Sequence, residues 1–303
     1  MSNTIVNTNV SALNSHRAIL SVGGRQARSA ERLSSGQRIN RAADDAAGLS
    51  ISEGMRNQIR GLDQSVRNSQ DGISLVQTAE GALEEVHRIL ERARVLTVQA
   101  ANDTNAESDR MMIHTELAQL GEELERITSD TEFNGMAILD GSSTSRPSGG
   151  SFNIQAGANS GQNITIQIGN ARNLVEAFNQ FVEDFSDAAA STTAHDDLTA
   201  LIGDSTQRTD MDALSGGDTL SEMISAVSNE RSNMGAVQNR LEHTINSLRV
   251  SSENLSAANS RIRDTDMAAE MMNFTQANVL QQAGMSMLAQ ANMAPQNILQ
   301  LVG

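Results

Sequence analysis

From about Asp44 to Gln99, the apolar residues Ile73, Val76, Ala79, Leu83, Val86, Leu90, Ala93 and Leu96 recur at steps of three and four. That spacing puts them on one face of an α-helix. At 1.5 Å per residue the helix spans on the order of 80 Å, too long for an isolated globular domain. Asn102-Asp103-Thr104-Asn105 interrupts the pattern and offers capping side chains. A second helix follows, with Ile113, Leu117, Leu120, Leu124 and Ile127 on one face.

The middle of the chain changes period. Phe133-Asn134-Gly135 and the Gly/Ser-rich stretch from Gly141 to Gly150 read as turns and loop. Phe152, Ile154 and Ala156, then Ile164, Ile166 and Ile168, alternate with polar residues on either side of Gly157 to Gly161, which predicts a β-hairpin. Leu174, Phe178, Phe181 and Phe185 fit one short amphipathic helix, and Ser186 to Gly217 is polar, acidic and rich in Thr and Ala. Residues 171–219 are therefore read as a short variable surface insertion.

Helical text resumes with greater regularity. Val227, Met234, Leu241, Leu248, Leu255 and Ile262 fall seven residues apart, a rod seam of coiled-coil type. A further seam of Leu280, Gly284, Met287, Ala291, Ala294, Ile298 and Leu301 follows in steps of four and three. With helices at both ends and irregular structure between them, the chain is expected to be mainly α. Its termini would pack as a long antiparallel bundle or coiled coil around a small central hairpin region. The expected domains are a terminal coiled coil (1–43 with 265–303), a helical rod with the hairpin (44–170 with 220–264) and the insertion. The terminal seams are poor in large apolar residues, and isolated helices of that kind are marginal in water. They are expected to order when packed against copies of themselves.

Composition narrows the function. The 303 residues include no Cys, Trp or Tyr, so neither an aromatic enzyme core nor a thiolate metal site is on offer. A formal charge of −15 argues against nucleic acid and anionic membranes as partners. No signal peptide is visible at Met1-Ser2-Asn3-Thr4-Ile5. No apolar run reaches the ~18 residues of a membrane span. The five histidines, His16, His87, His114, His195 and His243, never stand four apart, so the spacing of a zinc peptidase helix is absent. His195-Asp196-Asp197 reads as a solvated loop. No cofactor is called for, and the expected class is structural rather than enzymatic.

Particular words take the reading further. Leu33-Ser34-Ser35-Gly36-Gln37-Arg38-Ile39-Asn40 and Asp44-Asp45-Ala46-Ala47-Gly48-Leu49 closely resemble the N-terminal signature of bacterial flagellins. Gly235-Ala236-Val237-Gln238-Asn239-Arg240-Leu241 and Ser260-Arg261-Ile262-Arg263-Asp264-Thr265-Asp266-Met267-Ala268 resemble the C-terminal one. The resemblance covers roughly 1–170 and 220–303. It implies an extracellular subunit of the flagellar filament, exported unfolded through the flagellar type III apparatus for swimming motility. Implied partners are further copies of the chain, the cap and hook-junction proteins, and an export chaperone at the C-terminal segment. A hook–filament junction protein, with similar ends, is the alternative.

The resemblance also marks residues. Arg92, Leu96, Gln99 and Glu116 match positions through which animal Toll-like receptors recognise flagellins, while Val95 stands where many recognised relatives carry Glu. Leu280, Met287, Ala291, Ala294, Ile298 and Leu301 are the expected assembly seam. Met111-Met112 and Met271-Met272 suit adaptable packing. Ser142 to Ser148 and Ser191 to Thr193 are candidates for O-glycosylation.

Every one of the 22 basic residues is Arg. Carboxylates are ionised by about pH 6 and histidine is neutral above about pH 7.5, whereas the groups that titrate from about pH 8 to 11 (Cys, Tyr and Lys) are missing. Arg keeps its charge beyond about pH 12. The net charge should therefore hold nearly constant across that alkaline window. Electrophoretic mobility and light scattering of filaments followed from about pH 8 to 11 should show a flat mobility and no disassembly. A steep change in either would contradict an alkali-tolerant charge set.

Overall fold

The computed structural model describes residues 9–141, 151–189, 194–202, 211 and 219–302; the side chains of 194–196 and 294–302 lie outside that description. Its elements are α1 (Val10–Ser35), α2 (Ala46–Ala100), α3 (Glu107–Asp130), β1 (Glu132–Phe133), β2 (Met136–Ala137), β3 (Ser151–Gln155), β4 (Asn163–Gln167), α4 (Ala171–Ala189), α5 (Ala194–Ile202), α6 (Leu220–Arg263) and α7 (Met267–Val302). The chain is mainly α with short hairpins, as periodicity and alternation predict. Two compact units divide it: Met1–Ile59 with Glu253–Gly303, and Arg60–Ser252. The expected boundaries, after 43 and before 265, fall further toward the chain ends.

In the first unit, α1 and α7 run antiparallel. Asn9 Nδ2 donates to the Ala291 carbonyl at 2.7 Å, Gln26 Nε2 donates to Asn278 Oδ1, and Arg32 approaches Glu270 at 3.7 Å. Ala12, Ser15, Ile19, Val22, Gln26, Ser29 and Leu33 are the covered positions of α1 at alternating steps of three and four, answered on α7 by Phe274, Ala277, Gln281, Gly284, Leu288 and Ala291. Gly284 is required by close approach, because a Cβ there would meet Ile19 Cγ1 at 2.9 Å. Few of these residues are large and apolar, and the seam includes the polar pair of Gln26 and Asn278.

The second unit is built differently. Leu83, Leu90, Leu96, Leu117, Leu124, Ile138, Leu139 and Ile166 join Phe178, Phe181 and Phe185 in one buried apolar cluster. Ser65, Ser69, Thr97 and Thr128 are also buried, and each donates to the carbonyl four residues earlier. No hydroxyl among these four is left unpaired. β1 and β2 join through Asn134 and Gly135 at φ 53° and 74°, the conformations that a two-residue hairpin loop demands. β3 pairs with β4 in antiparallel register from Ser151 with Gln167 to Gln155 with Asn163. This hairpin lies on α2, where Asn68 Nδ2 donates to the Gln155 carbonyl at 3.1 Å.

One expectation is corrected. Residues 171–219 do not begin as a surface insertion. α4 buries Leu174, Phe178, Phe181 and Phe185 against α3, with Phe178 beside Gly121 and the Phe185 ring stacked on His114 at 6.3 Å. α5 adds the buried Leu198. The aromatic residues, scarce in the chain, are spent here because they cover the most area per residue. Residues 142–150, 190–193, 203–210 and 212–218 lie outside the described residues, and with them Ser142 to Ser148 and Ser191 to Thr193.

This placement predicts that Phe178→Ala destabilises the second unit by about 3–5 kcal/mol. The exposed Met112→Ala should cost less than about 0.5 kcal/mol. Denaturant unfolding of the monomer followed by circular dichroism measures both. Equal, small effects would return α4 to the surface.

Candidate assembly and recognition surfaces

The residues named from the sequence distribute unevenly. Of the rod seam, Val227, Met234, Leu241 and Leu248 are buried, while Leu255 and Ile262 are half-buried. Of the assembly seam, Ala291 lies on the face of α7 turned to α1. Leu280 and Met287 do not: they are 40% and 63% exposed. The side chains of Ala294, Ile298 and Leu301 lie outside the described residues. A stretch of α7 this rich in Ala, Met and Gln carries apolar residues on more than one face, so spacing alone could not say which face meets α1.

The first unit therefore keeps a second apolar surface. On α1, Val10, Leu13 and Leu20 are exposed, the last at 62%. On α7, Met271, Met272, Val279, Leu280, Met285, Met287 and Met293 are exposed, and the first four help to surround a shallow apolar depression. Charge accompanies this pattern. The first unit carries nine arginines against eight carboxylates, whereas the second carries thirteen against twenty-nine. The first unit is thus +1 and the second −16, so all of the net negative charge sits on the second unit.

Sequence reasoning missed the residues that tie the two helix breaks of the first unit together. Gln37 forms an isolated antiparallel bridge with Asp264. The Arg38 N–H donates to the Arg263 carbonyl at 2.6 Å, and the Thr265 N–H donates to the Gly36 carbonyl at 3.0 Å. Arg263 donates from Nε to Gln37 Oε1 at 3.0 Å and from Nη1 to Glu53 Oε1 at 2.6 Å. The Arg263 hydrogen bond is the chief reason that the Glu53 carboxyl titrates below its ordinary value. Asp44 titrates low because it accepts from the backbone N–H groups of Arg41 and Asn40. Ile39 is wholly buried within this knot, and Asp266 Oδ1 caps α7 by accepting from Ala268 and Ala269. The available signal was that three of the quoted words, at 33–40, 44–49 and 260–268, lie at the two helix breaks.

On the second unit, Arg92 of α2 donates from Nε and Nη2 to the same Glu116 oxygen of α3, at 2.9 and 2.7 Å. Both side chains are about half-exposed, so the pair contributes less than about 1 kcal/mol to stability. Gln99 is exposed, and its carbonyl accepts from Asn105 Nδ2 at 2.5 Å. Leu96 is only 2% exposed and belongs to the buried core of the unit. Val95, Val98, Met111 and Met112 are exposed apolar neighbours on the same two helices.

Among the described residues, no three His, Asp or Glu side chains gather as a metal site, and no helix is long and apolar enough to cross a membrane. His87 Nε2 faces Glu91 at 3.3 Å within one helix. The side chain of His195 lies outside the described residues.

Comparison with known proteins supplies the family. Residues 6–144 match the bacterial flagellin N-terminal helical region, and residues 218–302 match the bacterial flagellin C-terminal helical region. A flagellin of Halalkalibacterium halodurans is 50% identical over 98% of this chain and 99% of its own length. One from Bacillus subtilis is 47% identical over the same shares. The flagellin of Bacillus cereus, known from a crystal structure, is 30% identical across 64% of this chain and 94% of that one, with a TM-score of 0.43. None of these matches favours the hook–filament junction alternative. The chain belongs to the bacterial flagellin family, and it is a structural subunit of a flagellar filament rather than an enzyme.

Proposed function

We propose that copies of the chain polymerise through the outward faces of α1 and α7, giving the extracellular filament that drives swimming. The observation that carries this reading is the apolar surface left on both helices of a unit with almost no net charge. Burying such surface is favourable at about 25 cal/mol per Å². Near-neutral units can approach one another without the repulsion that thirteen arginines against twenty-nine carboxylates impose on the second unit. Export unfolded through the flagellar type III apparatus fits a chain with no disulfides to form. The same apolar α7 surface suits an export chaperone that holds the C-terminal segment before assembly. Cap and hook-junction proteins complete the expected set of partners.

Leu20→Asp tests the interface. Leu20 is exposed, so circular dichroism of the monomer should not change, while sedimentable filament should fall by at least about tenfold. Burying an unpaired carboxylate in a subunit contact costs more than the 1.4 kcal/mol that a factor of ten requires. Filaments at the wild-type yield would reject α1 as part of the interface.

A second surface has its own reading. Arg92, Gln99 and Glu116 offer a polar patch recognisable by an animal Toll-like receptor, with Leu96 holding α2 to the buried core of the unit. Val95 in place of Glu should weaken the contact. Arg92→Ala should lower signalling in a receptor reporter assay by about fivefold, the effect of losing a contact worth ~1 kcal/mol. The unfolding midpoint should scarcely move, since the Arg92–Glu116 pair is exposed. Undiminished signalling would remove Arg92 from the recognition surface.

A further inference from the structure

The chain contains 14 methionines and no Cys, Trp or Tyr, so its thioethers are the side chains most open to two-electron oxidation. They are not placed alike. Met211, Met223 and Met234 are buried in the second unit. Every methionine of α7 is exposed: Met267, Met271, Met272, Met285, Met287 and Met293. The exposed large apolar residues of α1, which pairs with α7, are instead Val10, Leu13 and Leu20, which peroxide leaves untouched. Thus the exposed large apolar residues of α1 are aliphatic and inert, whereas six of the eight on α7 are oxidisable.

We infer that α7 is an oxidation-gated assembly face, on which methionine sulfoxide formation in the free subunit blocks its addition to a filament. This rests on the proposed polymerisation through α1 and α7. The sulfur of Met271 or Met287 attacks one oxygen of hydrogen peroxide. The O–O bond breaks and an S–O bond forms, leaving sulfoxide and water; sulfur loses two electrons and the peroxide gains them. An apolar, flexible side chain becomes a polar one with a strong acceptor oxygen. Beside Met271 and Met272 the depression is lined by Thr275, Gln276, Val279 and Leu280, with no arginine among them to answer that acceptor. Burying several unanswered sulfoxides against a second copy of the chain opposes assembly. Reduction by a methionine sulfoxide reductase, with a thiol as electron donor, restores the thioether and the face. Once a subunit is in the filament the same sulfurs are covered, so the free subunit is the sensitive state.

The test uses the full-length protein and hydrogen peroxide, with filament yield read by sedimentation. Untreated subunits must first form filaments; their failure to do so overturns the assembly reading and this inference with it. In treated monomer, peptide mass spectrometry should find oxygen on the α7 methionines well before Met211, Met223 and Met234. Filament yield should then fall by at least about tenfold. Sulfoxide reductase with dithiothreitol should restore the yield. The combined variant Met271→Leu, Met272→Leu, Met285→Leu and Met287→Leu, compared with its own untreated yield, should keep assembling after peroxide. Oxidised wild-type subunits that assemble undiminished would overturn the inference. So would a loss that the reductase does not reverse, or α7 oxidation as fast in preformed filaments as in free subunits.

Discussion

Two helices packed on each other can bury only what their facing stripes carry, and α1 and α7 carry little. The covered stripe of α1 offers Ile19, Val22 and Leu33 among Ala12, Ser15, Gln26 and Ser29, and α7 answers with Phe274 and Leu288 among alanines, Gly284 and Gln281. Ala, Ser and Gly bring small apolar areas, while Gln26 and Asn278 must pair with each other to avoid a buried unpaired group. Such a pair specifies register well and stabilises poorly. Its outward faces, with Leu13, Leu20, Val279 and Leu280, hold apolar area that only another molecule can cover. On the proposed reading, the small area buried within one chain and the outward apolar area left for another copy are two sides of the same distribution of residues.

The second unit resolves the same problem within itself. Phe178, Phe181 and Phe185 are fully buried, and the leucines of α2 and α3 close around them. Stability of that kind does not await a partner. It allows the unit to carry twenty-nine carboxylates, which keep it solvated and deter nonspecific association. On the proposed reading, assembly is left to the unit with little charge.

The helices were legible because their apolar periodicity is sustained over many turns, and the β3–β4 hairpin because Phe152 to Ile168 alternates around a glycine-bounded turn. Three things were not. The burial of α4 was obscured because its neighbours in sequence are polar, although three phenylalanines at helical spacing in so aromatic-poor a chain were the available sign. The orientation of α7 could not be read, since Leu280 and Met287 have the same spacing whether they meet α1 or another copy. The Arg263–Glu53–Gln37 knot joins residues more than two hundred positions apart, and polar pairing over such distances leaves no periodic trace. Its members nonetheless lie in or beside the words that carry the flagellin resemblance. Those words are explained as the connections that bring two helix breaks together.

Amide hydrogen exchange, measured on the same protein as monomer and as filament, tests the central claim most directly. If the α1–α7 pair is completed by other copies, amides of 10–35 and 267–302 should exchange quickly in the monomer. They should slow by at least about a hundredfold in the filament, a shift of ~2.7 kcal/mol in opening free energy. Amides around Leu83, Leu117 and Phe178 should be strongly protected in both states. Terminal helices as protected in the monomer as that core would contradict the account, because the pair would then need no neighbour to be stable.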